Sequence, residues 1–160
     1  MKRWGLYEWS VILFFAVVPC AALLIEWMAF PDAFRFGPAA LKWFTFSGVG
    51  LRLGSAGVKQ VVQPQFTAKS IFGAEGAGAA SVVREIGLAN VSLSVAALVS
   101  LFVPMFRVPT AVTGGLYFGL AGLLHVFRRR TGTEERFAMI SDLFIFAVLL
   151  ALLFLNGWQA

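Results

Sequence analysis

Residues 137–156 read FAMISDLFIFAVLLALLFLN, and this stretch decides the class of fold. Its only charged side chain is that of Asp142, and most of the other residues are apolar. An α-helix needs about 20 such residues to cross roughly 30 Å of hydrocarbon. Because no water reaches the backbone in that layer, its N–H and C=O groups must bond within the helix. We therefore predict a transmembrane helix over residues 137–156.

The composition of the whole chain is that of a membrane protein. Its 160 residues are 59% hydrophobic and 15% aromatic, but only 13% of them are charged. A soluble domain carries about 25% charged residues, so this chain has too few polar side chains to cover a surface in water. We therefore exclude a soluble enzyme, a nucleic-acid-binding protein and a disordered chain. The net charge of +5 needs no polyanionic partner, because Lys and Arg collect in the cytoplasmic segments of membrane proteins.

Hydropathy identifies three plain spans and a fourth that ends at a run of arginines, at residues 10–30, 82–103, 137–156 and 109–127. Residues 41–62 are less apolar, because they contain Lys42, Arg52 and Lys59. Insertion of Arg52 near the middle of the membrane would cost roughly 2.5–3.5 kcal/mol if it faced lipid. This stretch must therefore turn its polar residues toward protein or water if it crosses the membrane.

The positions of the basic residues indicate that residues 41–62 do cross. Lys2 and Arg3 predict a cytoplasmic N-terminus, and the arginines at 128–130 predict a cytoplasmic loop before the last span. An even number of crossings must separate two cytoplasmic segments, and the spans at 10–30, 82–103 and 109–127 give only three. We predict an all-α bundle of five transmembrane helices in one domain, in a bacterial inner membrane. The alternative is four transmembrane helices, with residues 41–62 re-entrant or lying flat at the interface.

Residues 63–81 connect the second and third predicted spans. Their first part mixes Phe66 with Lys69 and two glutamines, which predicts a short amphipathic segment at the membrane interface. Residues 73–80 are Gly and Ala except for Glu75, and this composition predicts a flexible linker.

Small residues recur at helical spacing in three of the predicted helices. Such stripes allow membrane helices to approach each other closely, so we expect these positions to contact neighbouring helices. They are Gly50, Gly54, Gly57, Gly87, Ser94, Gly115, Gly119 and Gly122.

Polar side chains inside predicted membrane helices are candidates for function, because each must overcome a cost of desolvation. On the five-helix topology we predict a pocket that faces the cytoplasm and is formed by Glu85, Asn90, His125, Asp142 and Arg52. A carboxylate beside an imidazole orients its tautomer, which suits proton transfer or hydrogen bonding to a quinone carbonyl. The chain has one His and one Cys, which excludes a Cys/His zinc site and a bis-His haem within one chain.

The same residues are also consistent with purely structural roles. Glu85 would then lie at the membrane interface, and His125 would cap the last turn of its helix. Asp142, expected one turn into its helix, would interact with the dipole of the helix N-terminus. Arg52 would pair with Asp142 or Glu85. We also expect Glu26, near the outer end of the first helix, to pair with Lys42 or to lie at the membrane interface.

Residues 84–90 read REIGLAN and contain the pattern Glu-x-Gly-x-Ala-Asn at the start of a predicted helix. This pattern, with the later His125 and Asp142, resembles a family of small, uncharacterised bacterial multi-pass membrane proteins that is broadly DoxX-like. The likeness covers roughly residues 66–160, and the chain departs from the family before Glu85, where a Gly-Trp is expected and Ile-Phe-Gly stands at 71–73. The family has no firmly established activity, but its DoxX-like relatives imply membrane redox chemistry with quinones.

Three functions follow from these observations, and the sequence does not decide whether the chain is an enzyme. The first is an accessory or scaffold subunit of a larger membrane assembly, indicated by the small size and the absence of a strong catalytic motif. The second is a quinone-linked redox subunit without an intrinsic cofactor, with His125 and Asp142 at the quinone head group. The third is a small-solute or proton transporter acting as a homo-oligomer. The expected ligands are a quinone or a bound lipid, and the expected partners are other membrane subunits or copies of this chain.

Overall fold

Five long helices, one short helix and one 3-10 turn make up the regular structure of residues 5–69, 73–127 and 133–157, which the computed structural model describes. The helices are α1 (Leu6–Ala29), α2 (residues 36–62), α3 (Pro64–Thr67), α4 (Ala77–Val99), α5 (Arg107–Phe127) and α6 (Thr133–Leu155). Every regular element in these ranges is helical, which confirms the predicted all-α class.

Four helices in the described part of the chain are long and apolar enough to cross a membrane, at Leu6–Ala29, Ala77–Val99, Pro104–Phe127 and Glu135–Leu155. They correspond to the four spans that hydropathy identified. Each begins a few residues earlier than predicted, because the residues ahead of an apolar run can still complete the first helical turn. In α1 the Glu8 carboxylate accepts a hydrogen bond from the Gly5 backbone N–H at 2.8 Å, which caps the free end of the helix.

The stretch predicted at 41–62 belongs to α2, a helix that runs without a break through three segments of nine residues each. Its middle segment, Thr45–Leu53, is a π-helix. This helix contacts all four of the other long helices and therefore lies at the centre of the bundle. Its length is sufficient for a span, but its three cations and its small residues give it a lower hydropathy than the other four.

The predicted small-residue stripe brings α2 against α4. A Cβ added to Gly57 would lie 2.8 Å from the carbonyl oxygen of Gly87, so the two backbones are nearly in contact. One turn away, Gly54 faces Ser94 with no room for a methyl group, and the Ser94 hydroxyl donates to the Gly50 carbonyl at 2.7 Å. At these positions α2 and α4 are in close contact, and only small residues permit such an approach.

The second stripe brings α5 against α6. A Cβ added to Gly119 or Gly122 would lie 2.8 Å from a side-chain atom of α6, whereas at Gly115 the nearest atom is at 3.6 Å. The tightest glycine of α5 is Gly114, which meets Val49 of α2 and was not part of the predicted stripe. Gly114 directly precedes Gly115, and one residue turns an α-helix by about 100°. Gly114 therefore faces α2 instead of α6.

At the far end of the bundle, the expected pair of Glu26 and Lys42 joins α1 to α2. The Lys42 ammonium contacts one carboxylate oxygen at 2.7 Å, and the Trp43 indole N–H donates to the other at 2.5 Å. Both oxygens of this carboxylate are therefore engaged, and the two helices are held together where the chain turns between them.

Residues 63–81, predicted as an interfacial amphipathic segment followed by a linker, are helical again from Ala77 onward. The described part contains α3, whose Thr67 is buried together with Ala68, and residues 70–72 lie outside the described residues. The predicted flexible linker ends at Gly76, which has a φ of +102°, and α4 begins at the next residue. The prediction was wrong beyond that point, because the alanines that follow Gly76 have a high helix propensity.

Candidate functional site

A cavity of about 480 Å³ lies where α2 and α5 end and where α1, α4 and α6 begin. This volume falls within the roughly 300–1,000 Å³ of typical small-molecule sites. Leu53, Ile86, Phe118 and Leu124 contribute to its apolar wall. Phe66 of α3 also lines it, with the Lys59 ammonium 4.3 Å from the centre of its ring.

Four of the five predicted pocket residues line this cavity, each from a different helix. Arg52 comes from α2, Asn90 from α4, His125 from α5 and Asp142 from α6. Chain positions 17 to 90 residues apart are thus brought to one space by the alternating directions of the helices. The exception is Glu85.

The placement of Glu85 in the pocket was wrong. Its side chain is exposed on α4 and does not line the cavity. Residues in an α-helix are rotated by about 100° each, so Glu85 points about 140° away from Asn90, five positions later. The buried Asn90 faces the centre of the bundle, and Glu85 therefore points to the outside of the bundle.

Asp142 lies deeper in its helix than predicted. Because α6 begins at Thr133, Asp142 is in the third turn, about 13 Å along the helix axis. The field of a helix dipole is strong only in the first and last turns. A role for Asp142 as a partner of the helix N-terminus is therefore excluded, and its carboxylate is presented to the cavity.

Arg52 and Asp142 face the same space without forming a direct ion pair among the described residues. Their charges are close enough to interact electrostatically, but no described residue donates a hydrogen bond to the Asp142 carboxylate. The Arg52 guanidinium instead lies 5.2 Å from the centre of the Tyr7 ring, a cation–π contact. The expected structural pairing of Arg52 with Asp142 or with Glu85 is therefore not formed.

Two buried polar atoms that belong to cavity residues have no hydrogen-bond partner within the described ranges. They are Nε of Arg52 and Oδ1 of Asn90, and only 1% of the Asn90 surface is exposed. The Asn90 amide nitrogen donates to Oε1 of Gln60 at 2.7 Å, which directs Oδ1 to the other side. An unpaired buried polar group costs about 1–3 kcal/mol, so a hydrogen-bond partner for either atom would be stabilising.

His125 is paired with a carboxylate that the sequence analysis did not identify. Its Nδ1 lies 3.3 Å from Oε1 of Glu135, and the two side chains are only 11% and 17% exposed. This contact crosses from α5 to α6 and replaces the expected capping of α5 by His125. The carboxylate orients the imidazole, and Nε2 makes no hydrogen bond to a described residue.

Five further polar residues of the cavity were also missed, namely Tyr7, Lys59, Gln60, Thr67 and Tyr117. The Tyr117 side chain lies beside Asn90 and interacts with the charges of Arg52 and Asp142. Gln60 and Tyr117 stand eight positions from Arg52 and His125, respectively, and thus on nearly the same helix face. That spacing could have identified them.

The chain was compared with known proteins, and no family model, curated protein or solved structure matches it. The resemblance to the DoxX-like group therefore stays a prediction. Among the described residues, no group of three or more His, Cys, Asp and Glu side chains is placed to hold a metal ion. The arrangement can bind a molecule that is largely apolar and carries hydrogen-bonding groups at one end.

Proposed function

We propose that this chain is a five-helix protein of the bacterial inner membrane that binds a quinone-type molecule in the cavity. It would act as a membrane subunit of a redox assembly in which other proteins exchange electrons with the quinone. The fifth span is α2, which is long enough to cross the membrane and contacts each of the other long helices. A helix at the centre of a bundle can keep its cations away from lipid.

The distribution of basic residues supports an orientation with the cavity on the cytoplasmic side. Segments joined to the cavity end of the helices contain Lys2, Arg3, Lys59, Lys69, Arg84, Arg128, Arg129, Arg130 and Arg136. Those at the opposite end contain Arg35, Lys42 and Arg107. Because cytoplasmic segments carry the excess of Lys and Arg, this bias favours a cytoplasmic N-terminus.

The observation that carries the proposal is a cavity with a largely apolar wall that is lined by Arg52 and Asn90, whose buried Nε and Oδ1 atoms have no partner among the described residues. A quinone combines an apolar ring with oxygen atoms that bond to polar side chains. A small hydrophilic solute would fit the polar groups but not the apolar wall. A lipid tail would fit the apolar wall but not the polar groups.

Quinones exchange protons as well as electrons, and the cavity contains groups suited to proton exchange. His125 is oriented by Glu135 and keeps Nε2 for another partner. The carboxyl group of Asp142 lies farther along the cavity, in the electrostatic field of Arg52. These residues would hold the quinone oxygens and pass protons to or from the cytoplasmic side.

The proposal is tested by measuring the binding of a decyl-substituted benzoquinone to the purified protein in nanodiscs. We expect saturable binding that is weakened at least tenfold in Arg52→Gln and in His125→Ala. The control is Glu85→Gln, because Glu85 is an exposed polar residue outside the cavity and its substitution should leave the affinity unchanged.

Thermal unfolding of each variant, followed by circular dichroism, separates a lost contact from a lost fold. The proposal is wrong if the wild-type protein does not bind the benzoquinone, or if both cavity variants bind it as tightly as the wild type. Purification with larger membrane subunits but without any such binding would favour the accessory-subunit hypothesis.

A further inference from the structure

The exposed part of the cavity wall lies on one side of the bundle. Leu120 and Leu124, one turn apart on α5, line the cavity and are also 66% and 54% exposed. Phe66 of α3 and Lys59 at the end of α2 are the other exposed residues of the lining, and the rest of the lining is buried or half-buried. A residue that faces both the cavity and the outside marks an opening. These four residues therefore surround a lateral opening between α5 and α3.

The packing of the helices explains why the wall is open there. Gly87 of α4 meets α2, whereas Gly119 and Gly122 of α5 meet α6. Both small-residue stripes are thus used for other partners, and α4 and α5 contact each other much less than they contact α2 and α6. The short helix α3 packs against α4 and the end of α2. A space is therefore left beside α5, and Ile86 of α4 lines it together with the two leucines.

On the proposed orientation, the lateral opening lies in the cytoplasmic leaflet of the membrane. Leu124 and Leu120 stand three and seven positions before the end of α5, which corresponds to about 4.5 and 10 Å along the helix axis. At the opposite edge the Lys59 ammonium lies over the Phe66 ring, and a lysine of this kind extends toward the head groups. The opening therefore reaches from the head-group level into the hydrocarbon, and its deeper edge is apolar.

We propose that the quinone enters the cavity sideways from the cytoplasmic leaflet and that its tail leaves through the lateral opening across Leu120 and Leu124. This inference rests on the proposed function. The cavity of about 480 Å³ then has to enclose the ring but not the whole tail. Lipid tails are as apolar as Leu, so the tail passes from the bilayer to this edge without a cost of desolvation.

The path of the tail is measured by photolabelling of the wild-type protein in nanodiscs. The probe is a decyl-substituted benzoquinone with a diazirine on the tail, near the ring, and labelled residues are identified by tandem mass spectrometry. Because the probe also dissolves in the bilayer, labelling of the site is the part that excess unlabelled decyl-substituted benzoquinone removes. We expect this competitor to reduce labelling of Leu120 and Leu124 at least tenfold. Labelling of Leu116 and Ile25, which are exposed but do not line the cavity, should be unchanged.

The route of entry is tested by narrowing the lateral opening. In Leu120→Trp combined with Leu124→Trp, the time to half-maximal competed labelling after addition of the probe should lengthen at least fivefold. The matched control is Leu116→Trp combined with Leu123→Trp, since both residues are exposed on α5 but do not line the cavity. This control should label as fast as the wild type. Thermal unfolding of both variants shows whether the fold is retained, and the wild-type labelling pattern decides the inference if it is not.

The outcomes distinguish this inference from the proposed function. Competed labelling confined to buried lining residues such as Leu53 and Phe118 would mean that the tail stays inside, which overturns the lateral opening and leaves quinone binding intact. An unchanged rate in the folded Leu120→Trp, Leu124→Trp variant overturns the route of entry in the same way. If the decyl-substituted benzoquinone does not bind and no residue shows competed labelling, the proposed function and this inference fail together.

Discussion

Gly57 is the residue at which the closest approach of α2 to α4 is most easily tested. A methyl group at this position would meet three atoms of α4 at 2.8–3.0 Å, one of which is the Gly87 carbonyl oxygen. A backbone atom cannot move aside as the end of a flexible side chain can. The bulk that a residue adds here must therefore push the helices apart or distort one of them.

We expect Gly57→Ala to destabilise the protein by about 1–3 kcal/mol, the usual effect of overpacking. The matched control is Gly78→Ala in α4, where no described atom lies within 4 Å of an added Cβ. That change should be neutral or stabilising, by up to about 1 kcal/mol, because Ala is the better helix former. Thermal unfolding in detergent measures both effects, and a similar loss in the two variants would contradict the packing argument.

Arg52 is the residue whose surroundings explain how α2 tolerates a charge. Its side chain lines the cavity and lies over the Tyr7 ring, with its guanidinium 5.2 Å from the ring centre. An arginine that faced lipid at this depth would cost roughly 2.5–3.5 kcal/mol on insertion scales. The cavity surrounds this side chain with polar groups instead, so α2 can carry the charge without exposing it to lipid.

At the scale of elements, a π-helical segment in α1, Leu13–Val17, and the one in α2, Thr45–Leu53, mark where these helices meet their neighbours. The Ser47 hydroxyl donates to the Phe14 carbonyl oxygen in the π segment of α1 at 2.6 Å. The Ser94 hydroxyl of α4 donates to the Gly50 carbonyl oxygen in the π segment of α2 at 2.7 Å. Segments of this kind frequently occur at functional sites, and Arg52 belongs to the one in α2.

The connection between α1 and α2 at the far end of the bundle can be measured as a coupling free energy. Glu26 and Lys42 are only 24% and 16% exposed, so the ion pair is partly shielded from solvent. A double-mutant cycle with Glu26→Gln and Lys42→Met should give a coupling of about 1 kcal/mol, at the upper end for surface pairs.

The control for that cycle is the pair of Lys69 and Glu75, which has a similar separation of 3.0 Å but side chains that are 76% and 72% exposed. A cycle with Lys69→Met and Glu75→Gln should give a coupling near zero, because solvent screens the charges and the long side chains lose entropy on pairing. Equal coupling free energies in the two cycles would mean that burial does not strengthen the ion pair of Glu26 and Lys42.

At the scale of the whole molecule, the surface is suited to a lipid environment. Large apolar side chains are exposed along the helices that hydropathy identifies as spans, including Ile25, Met28, Leu120 and Phe154. In water such a surface would drive aggregation. In a bilayer the same residues face hydrocarbon, and the polar groups are left to the cavity and to the ends of the bundle.

The five-span topology predicts on which side of the membrane each connection lies. Asp32 and Gln65 are exposed residues that lie before and after α2. In a Cys20→Ser background, Asp32→Cys should react with an impermeant maleimide added to intact cells. Gln65→Cys should react only in inverted vesicles. Reaction of both cysteines from one side would mean that α2 does not cross, in agreement with the four-helix alternative.

The sequence by itself determined the features that depend on local composition and spacing. Continuous apolar length identified four helices, and small residues at helical spacing marked the faces of α2, α4 and α5 that pack closely. Four of the five predicted pocket residues also reached one cavity. These predictions succeeded because hydropathy and periodicity act on residues that are close in the chain, whatever the neighbouring helices are.

Only the tertiary structure decided which side chains meet across helices. It paired His125 with Glu135, turned Glu85 away from the cavity, and added Tyr7, Gln60 and Tyr117 to the lining. It also left Arg52 and Asp142 without a direct contact to each other. The physical reason is that the rotation of each helix about its axis is set by packing against several neighbours at once. A single sequence carries no direct record of those contacts, because the partners are distant in the chain.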